Sequence, residues 1–282
     1  MHTLKISKIK INDSDYQFKF GSKQDYDTIL SQTSIVRDAA TGLIVAGLFK
    51  KAISLETAKN AYPAFMAGFG YVTDNRGSYQ GEKRKQETQK RSRTTEPVHS
   101  YTGGYFERQG GFTPICRATS FTREQNKAWR KQIPFLKEMA TVVQENDPLR
   151  YSKLMDYIGK IQKDYTIDGL PFTTTAVNLS VRAAYHRDRG DYKGGVGCMA
   201  VLKKGVCINW KLVLPEYRVA LDIGDRDVIL FDPHLLHATT KGTGIGEIYK
   251  DWNRISVVAY VRERLIKCLP HEEEIKRARM RK

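Results

Sequence analysis

The sequence predicts an α+β fold: a double-stranded β-helix (jelly roll) core with supporting helices from the N-terminal half. Three observations carry that expectation. Short apolar or alternating segments, separated by turn signals, fill the second half of the chain, and strands of that kind close into sandwiches or barrels. Helix-start signals fall before them, in a first half of mixed α and β character. No repeat with a period of roughly 20–50 residues interrupts this order, so a solenoid is not expected.

The elements follow in chain order. Ser54 reads as the N-cap of a helix near 55–69 (LETAKNAYPAFMAGF), with Pro63 as a kink and Gly70 past its end. Thr122 and Gln125 form a capping box that opens a helix over roughly 123–144. Asp147 followed by Pro148 pairs an N-cap with a first-turn proline, opening a third helix to about Lys163. After Pro171 the period changes to two. In TTTAVNLSVRAAYHRD, Val177, Leu179, Val181 and Ala183 alternate with Asn178, Ser180, Arg182 and Ala184, the pattern of a half-buried strand. Further strands are expected at VGCMAVL, LVLPEYRVAL, DVILF and RISVVAYV.

Composition narrows the class. With 282 residues, 40% of them hydrophobic, a single domain over 1–282 is expected. It comprises a helical and mixed support region over 1–165, a jelly-roll core over 170–265 and a basic tail over 271–282. The longest apolar stretch, Leu43 to Phe49, falls far short of the ~20 residues of a membrane helix, so no membrane partner is expected. The N-terminus lacks an apolar core and a small-residue cleavage site. An intracellular, non-secreted protein is the expectation, in a microbe, a virus-infected cell or a eukaryotic nucleus, and as a monomer. Cys116, Cys198, Cys207 and Cys268 show no CxxC spacing and read as free thiols. A net charge of +16 calls for a polyanionic partner, nucleic acid first. Six Lys or Arg sit in the insert 82–96 and five in the terminal KRARMRK. Both segments can neutralise phosphates, and the terminal one is not expected to pack.

His186 and Asp188 form an H-x-D pair at the end of the alternating segment. Residues two apart on a strand point to one face, which they would share with Asn178, Ser180 and Arg182. His237, beyond the strand in DVILFDPHLLHATT, supplies a third ligand, with His234 as its rival. Two imidazoles and a carboxylate with positions left open make the facial triad of non-haem Fe(II) oxygenases. Zinc takes such ligands too, but it leaves the next feature unexplained. In RISVVAYVR, Arg254, Ser256, Val258, Tyr260 and Arg262 share one face. Arg254 can clamp a carboxylate bidentately and Ser256 can add a donor, as the dicarboxylate 2-oxoglutarate requires.

HRDRGD, LVLPEYRV, LLHATT and RISVVAY resemble the ten-eleven translocation and J-binding protein (TET/JBP) dioxygenases, which oxidise the 5-methyl group of pyrimidines in DNA. VRDAATGLIVAGLFKKAIS, TDNRGSYQG and GGYFERQGGFTPICRATSFT resemble segments that precede the barrel in compact members. The resemblance covers most of residues 35–265. It implies Fe(II) on His186, Asp188 and His237, 2-oxoglutarate on Arg254 and Ser256, O2 as oxidant, and duplex DNA with the target base flipped out. It further implies Tyr260 stacked on that base and Asp191 against its edge. Asn75 and Asn178 are further candidates for the base, and Arg117 and Arg182 for co-substrate or phosphate. An ionised Asp191 accepts from the amino group of cytosine, so 5-methylcytosine, oxidised to 5-hydroxymethylcytosine, is the expected substrate. Thymine is the alternative, ahead of an RNA or protein hydroxylase and of a non-catalytic basic DNA-binding module.

Two departures from the family stand out. Arg262 occupies the place of a histidine near the base, where it can pair with Asp191 or donate to a base carbonyl. Asn209-Trp210 stands where small residues are expected, which would reshape the lid.

Overall fold

The computed structural model describes residues 1–71, 99–108 and 115–280; Asn75 and the basic insert 82–96 lie outside them. In chain order come β1 (His2–Ile6), β2 (Thr28–Leu30), β3 (Ser34–Asp38), β4 (Ile44–Phe49), helix α1 (Leu55–Met66), β5 (Ser100–Phe106) and β6 (Arg117–Ala118). Helices α2 (Ser120–Glu124), α3 (Asn126–Asn146) and α4 (Pro148–Ile158) follow, then β7 (Thr174–Leu179), β8 (Gly197–Lys204), β9 (Cys207–Ile208), β10 (Lys211–Leu214) and β11 (Val219–Asp222). The chain closes with β12 (Val228–Phe231), β13 (Ala238–Thr239), β14 (Thr243–Gly244), β15 (Asn253–Tyr260) and α5 (His271–Arg279).

Among the described residues, β1-β3-β4-β12-β8-β15-β7-β5-β6 form a nine-stranded sheet and β13-β10-β11-β2 a four-stranded sheet. These are mixed sheets with supporting helices, the expected α+β jelly-roll class. The first half does more than support the core. It adds β1, β3 and β4 to one edge of the large sheet, β5 to the other, and β2 to the small sheet.

One face of the large sheet packs on helices. On α3, Phe135, Leu136, Met139, Ala140 and Val143 recur at helical spacing and are buried against Cys198 and Ala200 of β8 and Ile255, Val257 and Ala259 of β15. Each large side chain buried there contributes about 1.5–3 kcal/mol. The other face looks toward the small sheet, where Met199, Val201, Leu212, Ile229 and Phe231 make a second core. Because side chains alternate on β15, its remaining residues, including Arg254, Ser256 and Tyr260, turn into the space between the sheets.

Several boundaries differ from expectation. Ser54 caps α1 by accepting from the Thr57 amide at 3.2 Å, as read, but the helix ends at Met66 and tightens into a 3-10 turn over Ala67–Gly70. The cap before α2 is Thr119, not Thr122. The Thr122 hydroxyl instead accepts from the Gly104 amide at 2.7 Å, and the helix breaks at Gln125 before α3. Asp147 caps α4, which stops at Ile158. LVLPEYRVAL is two antiparallel strands, because Pro215 opens a 3-10 turn that ends on Arg218 with φ 50°.

The alternating segment around His186 is also broken. β7 ends at Leu179, and Ser180 adopts φ 54°. That left-handed residue shifts the side-chain phase by one. Val177 and Leu179 pack toward the helices, whereas Val181 and Ala183 face the opposite side and line the central cavity. The face expected to carry Asn178, Ser180 and Arg182 together therefore does not exist as one surface.

The cysteine expectation fails at one pair. Cys116 and Cys268 form a disulfide, with Cα atoms 5.9 Å apart and a sequence separation of 152; Cys198 and Cys207 are free and buried. The C-terminal segment packs as well. Its helix α5 carries Glu274, fully buried, which accepts from Arg108 and from the amides of Cys116 and Leu269. Lys276 to Arg279, the start of the basic run, continue that helix instead of trailing free.

Candidate active site

The space between the sheets is a cavity of about 490 Å³, within the range of pockets that hold small ligands. His186 and Asp188 lie past the turn at Ser180, on a stretch that pairs with the chain around His237. His186 and His237 each donate a backbone amide to the other's carbonyl at 3.0 Å, and the Asp188 amide donates to Pro233 O at 2.9 Å. This irregular pairing brings together residues far apart in sequence.

The ring nitrogens are sorted by the same backbone. His186 Nδ1 sits 2.7 Å from Ala184 O, and His237 Nδ1 sits 2.9 Å from Leu235 O. A carbonyl only accepts, so each Nδ1 carries the proton and each Nε2 keeps its lone pair. Those Nε2 atoms lie 3.7 and 3.5 Å from the Asp188 carboxylate oxygens. One ligand atom from each of the three residues fits within 4.8 Å. Two neutral imidazoles and a carboxylate at this spacing fit a divalent metal with open positions. His234 is turned away from the triad. Its ring takes Asp232 at 3.3 Å and approaches Asp191 O at 3.3 Å, and the Asp232 hydrogen bond raises its pKa.

At one end of the cavity stands Arg254, only 2% exposed. Among the described residues no carboxylate lies within ion-pair distance of it, and its Nε has no hydrogen-bond partner. Burial pushes its pKa down to about 10. A buried guanidinium without a counter-ion is costly unless an anion completes it, and Ser256 beside it faces the same cavity. The residues present thus fit a dicarboxylate. Trp210 is buried, in a cluster with Cys207 and Trp252. Its indole lies under Arg254, 5.1 Å from ring centroid to Cζ, and packs on Gly242, where a Cβ would meet its Nε1 at 1.9 Å.

Arg262 and Asp191 lie toward another part of the lining, with Tyr260, Phe106 and Arg117. Asp191 is 7% exposed, and burial, followed by the nearby Asp188 charge, raises its pKa. Arg262 does not pair with it. The guanidinium is engaged by Glu107 instead, Nε to Oε2 at 3.1 Å. Asn178 lines the cavity with its Oδ1 accepting from Ser100 Oγ at 2.7 Å. Arg117 also faces in, its pKa lowered by burial. Arg182 is not brought to the site. It stacks on Phe20, 3.9 Å from Cζ to centroid, because the shift at Ser180 turns it outward. Asn75 lies outside the described residues. Glu107 and Gly190 were missed from sequence, since their partner Arg262 is remote in the chain and no local pattern marks them.

A family model for the oxygenase domain of the 2OGFeDO superfamily (Tet_JBP) matches residues 100–263. The chain belongs to the TET/JBP oxygenase family. It is therefore a dioxygenase of that superfamily, whose members use Fe(II), 2-oxoglutarate and O2. It is 37% identical over 170 residues to thymine dioxygenase JBP1 of Trypanosoma brucei brucei, a match over 59% of this chain and 19% of that protein. It is 30% identical over 174 residues to thymine dioxygenase JBP1 of Leishmania tarentolae, covering 60% and 20%. This TET/JBP chain thus spans about a fifth of the length of those curated relatives. A solved structure, NgTET1 in complex with 5mC DNA, superposes with a TM-score of 0.61 at 12% identity, covering 93% of this chain and 88% of the other; that likeness bears on the fold. Among the described residues no helix is long and apolar enough to cross a membrane.

Proposed function

We propose that this dioxygenase hydroxylates the 5-methyl group of a pyrimidine in DNA, with thymine as its base. The carrying observation is that one cavity contains the His186–Asp188–His237 triad, an Arg254 with no ion pair among the described residues, and an aromatic and polar wall at Tyr260, Asp191 and Arg262. In this reading His186 Nε2, Asp188 and His237 Nε2 hold Fe(II), and Arg254 with Ser256 holds the far carboxylate of 2-oxoglutarate. Bound Fe(II) and 2-oxoglutarate would supply the oxidising chemistry with O2 as the oxidant: one oxygen atom of O2 would enter the methyl C–H bond, and the other would convert the keto acid to succinate with loss of CO2.

The chain's own residues position and shield. Apolar Met199, Leu212 and Phe231 line the cavity beside the triad and keep water from the reacting carbon. The target carbon lies inside a duplex, so the base enters flipped out. Tyr260 offers its ring to the base, a stack worth ~1–3 kcal/mol.

Thymine is favoured for two reasons. The relatives 37% and 30% identical are named thymine dioxygenases. The two guanidinium groups in the wall, Arg262 and Arg117, only donate hydrogen bonds, and thymine offers two carbonyls to them where 5-methylcytosine offers one. The 5-methylcytosine reading is supported by Asp191, which faces the cavity with no ion pair among the described residues and, when ionised, accepts from a cytosine amino group.

Nucleoside mass spectrometry after incubation with Fe(II) and 2-oxoglutarate tests the reading. A thymine-containing duplex should yield 5-hydroxymethyluracil. Product only from a 5-methylcytosine duplex would reverse the base, and product from neither would remove DNA as the substrate.

A further inference from the structure

We infer that Glu107 is a positioning residue for substrate binding, acting through Arg262. The inference rests on the proposed action on a methylated pyrimidine in DNA, and it names how the far wall of that pocket is held.

Glu107 is 4% exposed and follows β5, one strand in from the edge of the large sheet. Its carboxylate takes the Arg262 guanidinium bidentately, through Nε at 3.1 Å and through Nη2. The Arg262 backbone is fixed too: its amide donates to Thr173 Oγ1 at 3.0 Å, and a backbone bridge joins it to Asp191. Gly190 supplies the third side of the socket. A Cβ at Gly190 would stand 2.3 Å from Arg262 Nη1 and 2.9 Å from its Cζ, so a side chain there would press on the guanidinium.

This socket has two chemical consequences. Arginine carries five donors in a rigid fork, and Glu107 occupies Nε and Nη2. Among the described residues Nη1 makes no hydrogen bond, and Arg262 lines the cavity. The remaining donors are thus aimed at an acceptor entering the pocket, such as a base carbonyl that both thymine and 5-methylcytosine carry. Glu107 also satisfies the charge of Arg262, so the guanidinium has no need to collapse onto Asp191. Among the described residues the two side chains form no ion pair with each other, and both line the cavity. Without Glu107, the buried carboxyl among the described residues left to neutralise Arg262 is Asp191, and both recognition groups would be lost at once.

The test is a double-mutant cycle on the full chain, with thymine- and 5-methylcytosine-containing duplexes as substrates. Glu107→Gln should raise KM for DNA about tenfold, the loss expected for one charge-assisted contact, with KM for 2-oxoglutarate unchanged. In an Arg262→Ala background the same substitution should change KM for DNA by less than about twofold. Gly190→Ala reaches the guanidinium from the opposite side and should reproduce the Glu107→Gln effect, which keeps the test open if Glu107→Gln does not fold. Equal effects of Glu107→Gln in both backgrounds, or a parallel rise in KM for 2-oxoglutarate, would overturn the inference. Failure of the wild-type enzyme to modify either duplex would instead bring down the functional reading, and this inference with it.

Discussion

His186 and His237 hold one another through paired backbone hydrogen bonds, 3.0 Å in each direction. Each imidazole is then oriented by a carbonyl two residues earlier in its own chain, Ala184 O for His186 and Leu235 O for His237. The geometry of the proposed ligands is set by main chain, so the triad should be formed before any metal arrives.

Replacing a ligand should therefore remove metal without unfolding the protein. His186→Ala and Asp188→Ala are expected to abolish Fe(II) binding by calorimetry and to cut turnover by more than about 100-fold, beyond the 10–100-fold typical of outer-sphere changes. Thermal stability of the metal-free protein should shift little, because both side chains are partly exposed.

His234→Ala should leave Fe(II) binding intact, since its ring engages Asp232 rather than the triad. Asp232 raises the pKa of His234. That pair's contribution is fully present below the unfolded histidine value, about 6.5, and is lost as pH rises through the higher folded value. The group is partly exposed, so the loss on mutation should be below about 1 kcal/mol. Chemical denaturation should show it at pH 6 and scarcely at pH 8.

Arg254→Met separates binding from stability. Removing a buried cation that has no ion-pair partner among the described residues should leave the apo-protein as stable or more stable. Affinity for 2-oxoglutarate should fall by about 100-fold, corresponding to about 2.7 kcal/mol for a lost bidentate charge pair. Fluorescence of Trp210, which lies under the guanidinium, reports both.

Much of the candidate site's make-up was legible in the sequence. H-x-D, the distant histidine and the R-x-S strand start named the triad and Arg254 because each sits in a short motif with its own chemistry. The alternation of β15 placed Tyr260 and Arg262 on the cavity side. What failed did so for long-range reasons. A single left-handed residue, Ser180, redirected Arg182, and a period-two pattern cannot register such a turn. Glu107 and the partner of Cys116 are set by tertiary contacts that no spacing announces.

The Cys116–Cys268 bond closes a loop of 152 residues. Cross-linking so long a segment restricts the unfolded chain, so Cys116→Ala or reduction should lower unfolding free energy by about 2–4 kcal/mol. Denaturant titration with and without reductant measures it, and coincident curves would show that the bond is not formed in solution.

In the proposed function the triad and Arg254 serve one oxidation directed at the 5-methyl group of a pyrimidine in DNA. Succinate release from 2-oxoglutarate, measured with Fe(II), tests it most directly. A thymine-containing duplex should stimulate release, and a matched duplex with uracil in place of thymine and no methylated cytosine should not. Asp188→Ala should abolish the response. Equal stimulation by both duplexes, or stimulation that survives in Asp188→Ala, would rule out a methyl-directed oxidation at this triad.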